Sequence, residues 1–273
     1  MEQRGRHRGG SADGENEFAL YQSKGNRHLS QLSPPRVLQL RGSVEERIWK
    51  RPQTLPKKGE TKVLRYETHE SREDWLANRQ AHLGASEAGA ILGVGFISRI
   101  DLWKIKTGRA QPKDLSANEA VTYGNRAEDP LRRLFMVKHP ELTLTYRPYD
   151  YLYQTERPWL RATLDGELTF ADGDRGILEI KTATLLSKAD WAKWNGRVPD
   201  SYYAQICHQM LATGFGYTYL FAELIGADGN SSLREYLFLR DDIRGDLDYL
   251  LEEEEKFWRN VTDDKVPSAP LRL

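Results

Sequence analysis

Residues 161–181 constrain this chain more than any other stretch: Arg-Ala-Thr-Leu-Asp-Gly-Glu-Leu-Thr-Phe-Ala-Asp-Gly-Asp-Arg-Gly-Ile-Leu-Glu-Ile-Lys. Two strand-like runs, 160–170 and 177–182, flank the turn formers Ala171-Asp-Gly-Asp-Arg-Gly176, which supply the positive-φ positions a hairpin loop needs. The pattern predicts a β-hairpin. Side chains alternate faces along a strand, so Glu179 and Lys181 share one face while Leu178 and Ile180 point into apolar packing. Asp165, followed by Gly166, can lie opposite them on the preceding strand. Two hard carboxylates and an ammonium at a sheet rim suit Mg²⁺, with the lysine free to orient a water. The plain alternative is a cross-face salt bridge on a solvated sheet.

With Asp165 at hairpin distance, the pattern Asp…Glu-x-Lys resembles the PD-(D/E)xK nuclease core. Leu164-Asp165 stands where the "PD" would be, which keeps the carboxylate.

The chain has 273 residues and is 39% hydrophobic, enough to bury one full core. The expected organisation is a mostly disordered, basic N-terminal tail over 1–60 and a single catalytic domain over 61–273. Net charge is zero, but residues 1–70 carry 14 Lys/Arg against 9 Asp/Glu, so the surplus of five is balanced by the rest of the chain. A basic nucleic-acid groove and an acidic metal site can cancel in such a sum, so the overall charge excludes neither. The single cysteine, Cys207, excludes an intramolecular disulfide and a Cys-rich zinc site and fits a reducing compartment. No apolar run reaches the roughly 20 residues of a membrane span, and no signal-peptide core opens the chain, so a cytoplasmic protein is expected.

Along the chain, Ser71 reads as the cap of a helix running to about Gln80, and Gly84-Ala-Ser-Glu-Ala-Gly-Ala-Ile-Leu-Gly93 as a second helix with Ser86 at its N-terminus. A helix N-terminus attracts anions, and Arg79, seven residues before Ser86, can converge on the same anion; plain capping is the alternative. Ser116-Ala-Asn-Glu119 reads as a capping box opening a helix to about Lys138, with Pro130 kinking it next to Glu128. Glu128 is either a surface carboxylate or reaches inward to a metal. Leu131, Leu134, Phe135 and Val137 are its core candidates. Residues 142–154 read as one strand. Trp191 and Trp194, among lysines, suit either core packing or base stacking. A helix at 199–214 carries Tyr202, Gln205 and Gln209 on one polar face, where the glutamines can hold a phosphate, a water or the lysine; Gln205 is expected among the catalytic residues and Gln209 among the DNA and 5′-phosphate contacts. His208 has no second ligand at metal spacing and reads as incidental. Residues 217–225 and 233–240 form a second hairpin, and 241–261 an amphipathic helix whose run 252–255 reads as a solvated face.

Taken together, Arg79, Gly84-Ala-Ser86-Glu87, Tyr123-Gly-Asn-Arg-Ala-Glu128, Leu164-Asp165-Gly166, Leu178-Glu179-Ile180-Lys181 and Gln205-x-x-x-Gln209 resemble, in order and spacing over roughly 70–220, the phage lambda exonuclease family of YqaJ-like viral recombinases. The resemblance implies a restriction-endonuclease-like α/β/α fold with a central mixed sheet. It implies that Asp165, Glu179 and the Ile180 carbonyl bind Mg²⁺, or Mn²⁺ in its place, that Glu128 completes the site and that Lys181 assists the water. Arg79 and Ser86 match positions that grip the 5′-phosphate. A ring-shaped trimer and a single-strand annealing partner are likewise implied.

The expected function is a Mg²⁺-dependent 5′→3′ exonuclease on double-stranded DNA ends, leaving 3′ overhangs for annealing-type recombination. The alternatives are a structure-specific or restriction-like endonuclease on the same fold, and a DNA-binding module with a vestigial nuclease site.

Overall fold

A computed structural model describes residues 63–268 of the chain, with the backbone of Leu38–Gln39 besides. In chain order the strands are β1 (Leu38–Gln39), β2 (Leu64–Thr68), β3 (Leu83–Gly84), β4 (Thr143–Thr145), β5 (Asp150–Gln154), β6 (Leu160–Arg161), β7 (Gly166–Thr169), β8 (Arg175–Leu185), β9 (Tyr217–Gly226) and β10 (Ser231–Leu239). The helices are α1 (Arg72–Asn78), α2 (Ala88–Leu92), α3 (Arg99–Lys106), α4 (Glu119–Lys138), α5 (Lys188–Ala192), α6 (Asp200–Thr213) and α7 (Arg244–Thr262). Apart from β1, the expectations for residues 1–60 lie outside the described residues.

The central sheet has the order β1-β10-β9-β8-β7-β4 and is mixed, because β8 and β9 run parallel while the other pairs are antiparallel. The β7–β8 hairpin forms as the turn chemistry predicts: Phe170 donates its N–H to the Asp174 carbonyl at 2.9 Å, and Gly173 takes φ +89°. Gly166 is needed for packing, since a Cβ there would lie 3.0 Å from Leu144 and 3.3 Å from Leu178. The parallel β8–β9 pair requires a crossover, which α5 and α6 supply.

Two apolar layers cover the sheet. On one face Leu131 and Phe135 of α4 pack on Leu178, Ile180, Tyr219 and Phe221. On the other, Ile206 and Met210 of α6 and Leu247 and Leu250 of α7 pack on Ile177, Leu220, Ala222 and Phe238. The expected α/β/α arrangement is therefore the observed one. Alternation places Glu179 and Lys181 on the α6 face, opposite in parity to Leu178 and Ile180.

Several local expectations are corrected. Ser116 does not cap α4: its N–H bonds to Asp114 in a turn, and Asn118 is the cap, accepting from the Val121 N–H at 3.1 Å. In α4, Leu134 and Val137 face solvent at 38% and 76% exposure, so only Leu131 and Phe135 of the four candidates are core. Pro130 lies inside α4, where it withholds a bond from the carbonyl one turn earlier. Residues 142–154 form two strands in different sheets, broken where Tyr149 adopts φ +63°. The run 160–170 likewise divides into β6 and β7, with Asp165 in the gap. The 241–261 helix forms as α7, but Glu254 lies fully buried in its apolar stripe with Leu247, Leu250 and Phe257, so 252–255 is not simply a solvated face.

Candidate active site

The site lies where the β7–β8 ladder stops. Gly166↔Leu178 is its last pair, so Glu179, Ile180 and Lys181 continue along β8 with no β7 partner. In a strand the N–H and C=O of one residue point to the same side, and those of Ile180, two residues beyond Leu178, point to the vacated side. Asp165 fills it: its Oδ2 accepts the Ile180 N–H at 2.7 Å. The Ile180 carbonyl faces the same gap as the Asp165 carboxylate.

Glu179 is 2% exposed and held from α6, with Gln205 donating to Oε1 at 2.6 Å and Gln209 to Oε2 at 2.5 Å. Residues four apart share a helix face, so both glutamines bear on one carboxylate. Lys181 Nζ pairs with Glu179 Oε1 and lies 5.3 Å over the Tyr202 ring. A fifth of the Lys181 side chain remains exposed. Glu128 arrives half-buried from α4.

The electrostatics are those of an acidic cluster short of positive charge. Burial first, then Glu179, hold the Asp165 carboxyl well above the ordinary carboxylate range, against the pull of Lys181. Burial also raises Glu128, with Arg132 opposing and Glu179 adding to the shift. For Lys181 burial alone would discharge the ammonium, but the fields of Glu179 and Asp165 outweigh it and hold the group above its ordinary value.

The donor set fits a hard divalent cation: two carboxylates and a carbonyl, all oxygen, with excess negative charge that a cation would return to the ionised form. Among the described residues no three His, Cys, Asp or Glu side chains close around one point. Mg²⁺ tolerates that, because it keeps several waters and needs only one or two carboxylates.

Gln209 departs from the phosphate-binding expectation. It is 1% exposed and its amide also contacts the Thr163 carbonyl at 3.3 Å, so it braces Glu179 from inside the core. Gln205 does the same from nearer the surface.

Arg79 and Ser86 do come together, with Arg79 Nη2 donating to Ser86 Oγ at 2.6 Å. Ser86 does not open a helix. It sits in a one-turn 3-10 segment, Ala85–Glu87, ahead of the five-residue α2, so no long helix dipole aids an anion there. The loop is stiffened instead by buried Lys106, which donates to the carbonyls of Arg79 at 2.9 Å and His82 at 2.6 Å and pairs with Glu87 at 2.8 Å. Gly89 of α2 lies so close to the start of α6 that a Cβ would meet Ser201 at 3.4 Å. The Arg79–Ser86 loop thus shares a wall with the helix that braces Glu179.

His208 is not incidental. Fully buried, it pairs through Nδ1 with Glu254 at 2.7 Å, and its Nε2 faces the Arg161 carbonyl at 2.9 Å. Trp194 is core, 3% exposed, whereas Trp191 is 37% exposed. Arg132 is a residue the motif reading missed; its spacing of four from Glu128, which puts both on one face of α4, was the available signal.

No helix among the described residues is long and apolar enough to cross a membrane. The solved structure of an alkaline exonuclease from Laribacter hongkongensis superposes with a TM-score of 0.53 at 17% identity, covering 70% of this chain and 93% of that one. The same enzyme in complex with dAMP gives 0.52 at 17% identity over the same shares. At such identity the likeness establishes the fold. The YqaJ protein of Bacillus subtilis (strain 168) is 29% identical over 206 residues, which is 75% of this chain but 59% of that protein's length. The model of the YqaJ-like viral recombinase domain matches residues 74–216, more than half of the chain and every motif residue of the site, and the chain belongs to that family.

Proposed function

We propose that the protein is a Mg²⁺-dependent exonuclease that degrades one strand of double-stranded DNA from its 5′ end and leaves 3′ overhangs for recombination by strand annealing. The observation that carries this reading is the end of the β7–β8 ladder. There Asp165 and the Ile180 carbonyl face a gap in the sheet, beside Glu179 and the partly exposed Lys181.

In this reading Asp165, Glu179 and the Ile180 carbonyl would hold the cation, and Glu128 would add a carboxylate from α4. When bound, Mg²⁺ would supply Lewis-acid polarisation of the scissile phosphate and would lower the pKa of a water. Lys181, charged at neutral pH, donates a hydrogen bond that orients the attacking water and places positive charge near the phosphate oxygens as negative charge develops. Gln205 and Gln209 keep Glu179 from rotating away, so the carboxylate is in place before substrate arrives. Arg79, whose side chain is 36% exposed, and the exposed Ser86 form a pair that suits a 5′-phosphate.

The test is strand polarity. A linear duplex labelled separately at each terminus and incubated with Mg²⁺ should release the 5′ label as mononucleotide before any 3′ label. Release from the 3′ terminus first contradicts the proposal.

A further inference from the structure

Arg132 is 6% exposed, on the face of α4 that lies over the site. Burying a guanidinium is costly unless it is well paired. Its only ion-pair partner among the described residues is Asp129, at 3.4 Å, and that side chain is itself 56% exposed. Its strongest bond goes elsewhere: Nε donates to the main-chain carbonyl of Asp165 at 2.7 Å. The guanidinium carbon lies 3.6 Å from the centroid of the Tyr146 ring, over its face, which holds the group in place.

Asp165 needs such a tether. It falls between β6 and β7, outside the ladder, and its carboxylate is bound from the β8 side through the Ile180 N–H. Arg132 holds the same residue from the α4 side. One helical turn earlier on that face is Glu128, whose charge Arg132 also offsets. The two carboxylates come from different layers of the fold, and one guanidinium spans them.

We infer that Arg132 is a positioning residue for the cation site, locking the Asp165 backbone to α4 so that Asp165 and Glu128 keep a fixed spacing around the Ile180 carbonyl. The inference rests on reading Asp165, Glu179 and Glu128 as the metal-holding set. A lysine would not replace Arg132, because an ammonium lacks the planar fork that stacks on Tyr146 while bonding sideways to a carbonyl.

The test is Mn²⁺ binding to the metal-free full-length protein by calorimetry, with thermal unfolding measured alongside. Arg132→Gln and Arg132→Lys should both weaken Mn²⁺ binding by about 10–100-fold, the usual effect of losing a group that orients a metal ligand. The Mg²⁺ concentration giving half-maximal cleavage should rise by a similar factor. A purely structural arginine would lower the unfolding temperature without moving either readout. If the Arg132 variants do not fold, Tyr146→Leu, which keeps the guanidinium but removes its platform, should weaken Mn²⁺ binding in the same direction. Folded variants that bind Mn²⁺ as wild type does overturn the positioning role. Wild-type protein that takes up no Mn²⁺ overturns the metal reading beneath it.

Discussion

Helix α6 offers buried polar side chains to two neighbours. Gln205 and Gln209 bear on Glu179 of the sheet, and His208, between them in sequence, bears on Glu254 of α7. Both clusters put carboxylates in the interior, yet they are balanced differently. His208 and Glu254 are both fully buried; the imidazole gains a carboxylate on one side and a carbonyl on the other. Burial opposes its charge, but Glu254, the Arg161 carbonyl and Glu87 together outweigh burial and raise its pKa. At Glu179 the lysine is shared with Asp165 and Glu128, two carboxyls are pushed upward, and a fifth of the lysine side chain is exposed. A sealed, balanced pair holds helices together; an open cluster short of positive charge is where a cation and a phosphate can enter.

The largest expected effect separates the two clusters by activity. Asp165→Ala or Lys181→Ala should reduce cleavage by roughly four decades, about 5.4 kcal/mol at 1.36 kcal/mol per decade. Asp165→Ala should leave the unfolding temperature of the metal-free protein no lower than wild type, because it removes a carboxyl that is costly to ionise where it sits. Turnover within tenfold of wild type in either variant, measured at saturating Mg²⁺, would remove these residues from the mechanism.

The second effect is the converse. His208→Gln should cost stability, about 3–5 kcal/mol for stranding a buried charge, while the folded fraction cleaves as wild type does. The pair also predicts a pH dependence. Because the folded pKa of His208 is raised, its contribution is complete below the unfolded value of about 6.5 and is lost as pH rises through the folded value. Thermal melts from acid to alkaline pH should therefore show wild-type stability declining on the alkaline side and a flatter profile for His208→Gln. Identical profiles would contradict the assignment.

The two clusters also differ in how far they could be read from sequence. Glu179 and Lys181 were legible because strand alternation is a local rule that fixes which side chains share a face, and the turn formers at 171–176 placed the hairpin; Asp165 was expected on the preceding strand but sits in the gap before β7, where the end of the ladder sets its contact with Ile180. The second hairpin at Tyr217–Leu239 and the punctuation of α6, ending at Gly214 with φ +77°, were legible for the same reason. His208 and Glu254 are 46 residues apart, and nothing local announces that the α7 stripe brings a glutamate onto α6. The bracing of Glu179 by Gln205 and Gln209 was half legible: spacing put the two amides on one face, but packing decided what that face meets. Tyr149 defeated the single-strand reading of 142–154 because a positive φ is rare away from glycine and asparagine. Ser86 looked like a cap because caps are read from residue type, whereas the turn there is closed by Glu87, whose carboxylate accepts the Gly84 N–H at 2.9 Å.

The smallest expected effect lies beside the open cluster. If Arg79 and Ser86 receive the terminal phosphate, a 5′-phosphorylated duplex should be digested faster than a 5′-hydroxyl one. Arg79→Ala should erase about 1.5–3 kcal/mol of that preference, roughly one to two decades in initiation rate, without changing the Mg²⁺ requirement. Equal initiation on both ends by wild type would leave the Arg79–Ser86 contact with a structural role only.

The central claim is that the gap at the end of the β7–β8 ladder holds a divalent cation and works on DNA ends. Linear and covalently closed circular forms of one plasmid, incubated with wild type or Asp165→Ala protein in Mg²⁺, test it most directly. The account predicts that wild type degrades the linear form completely and leaves the closed circle intact, that EDTA stops the reaction, and that Asp165→Ala degrades neither. Nicking or linearisation of the closed circle by wild type would contradict it and make the enzyme an endonuclease.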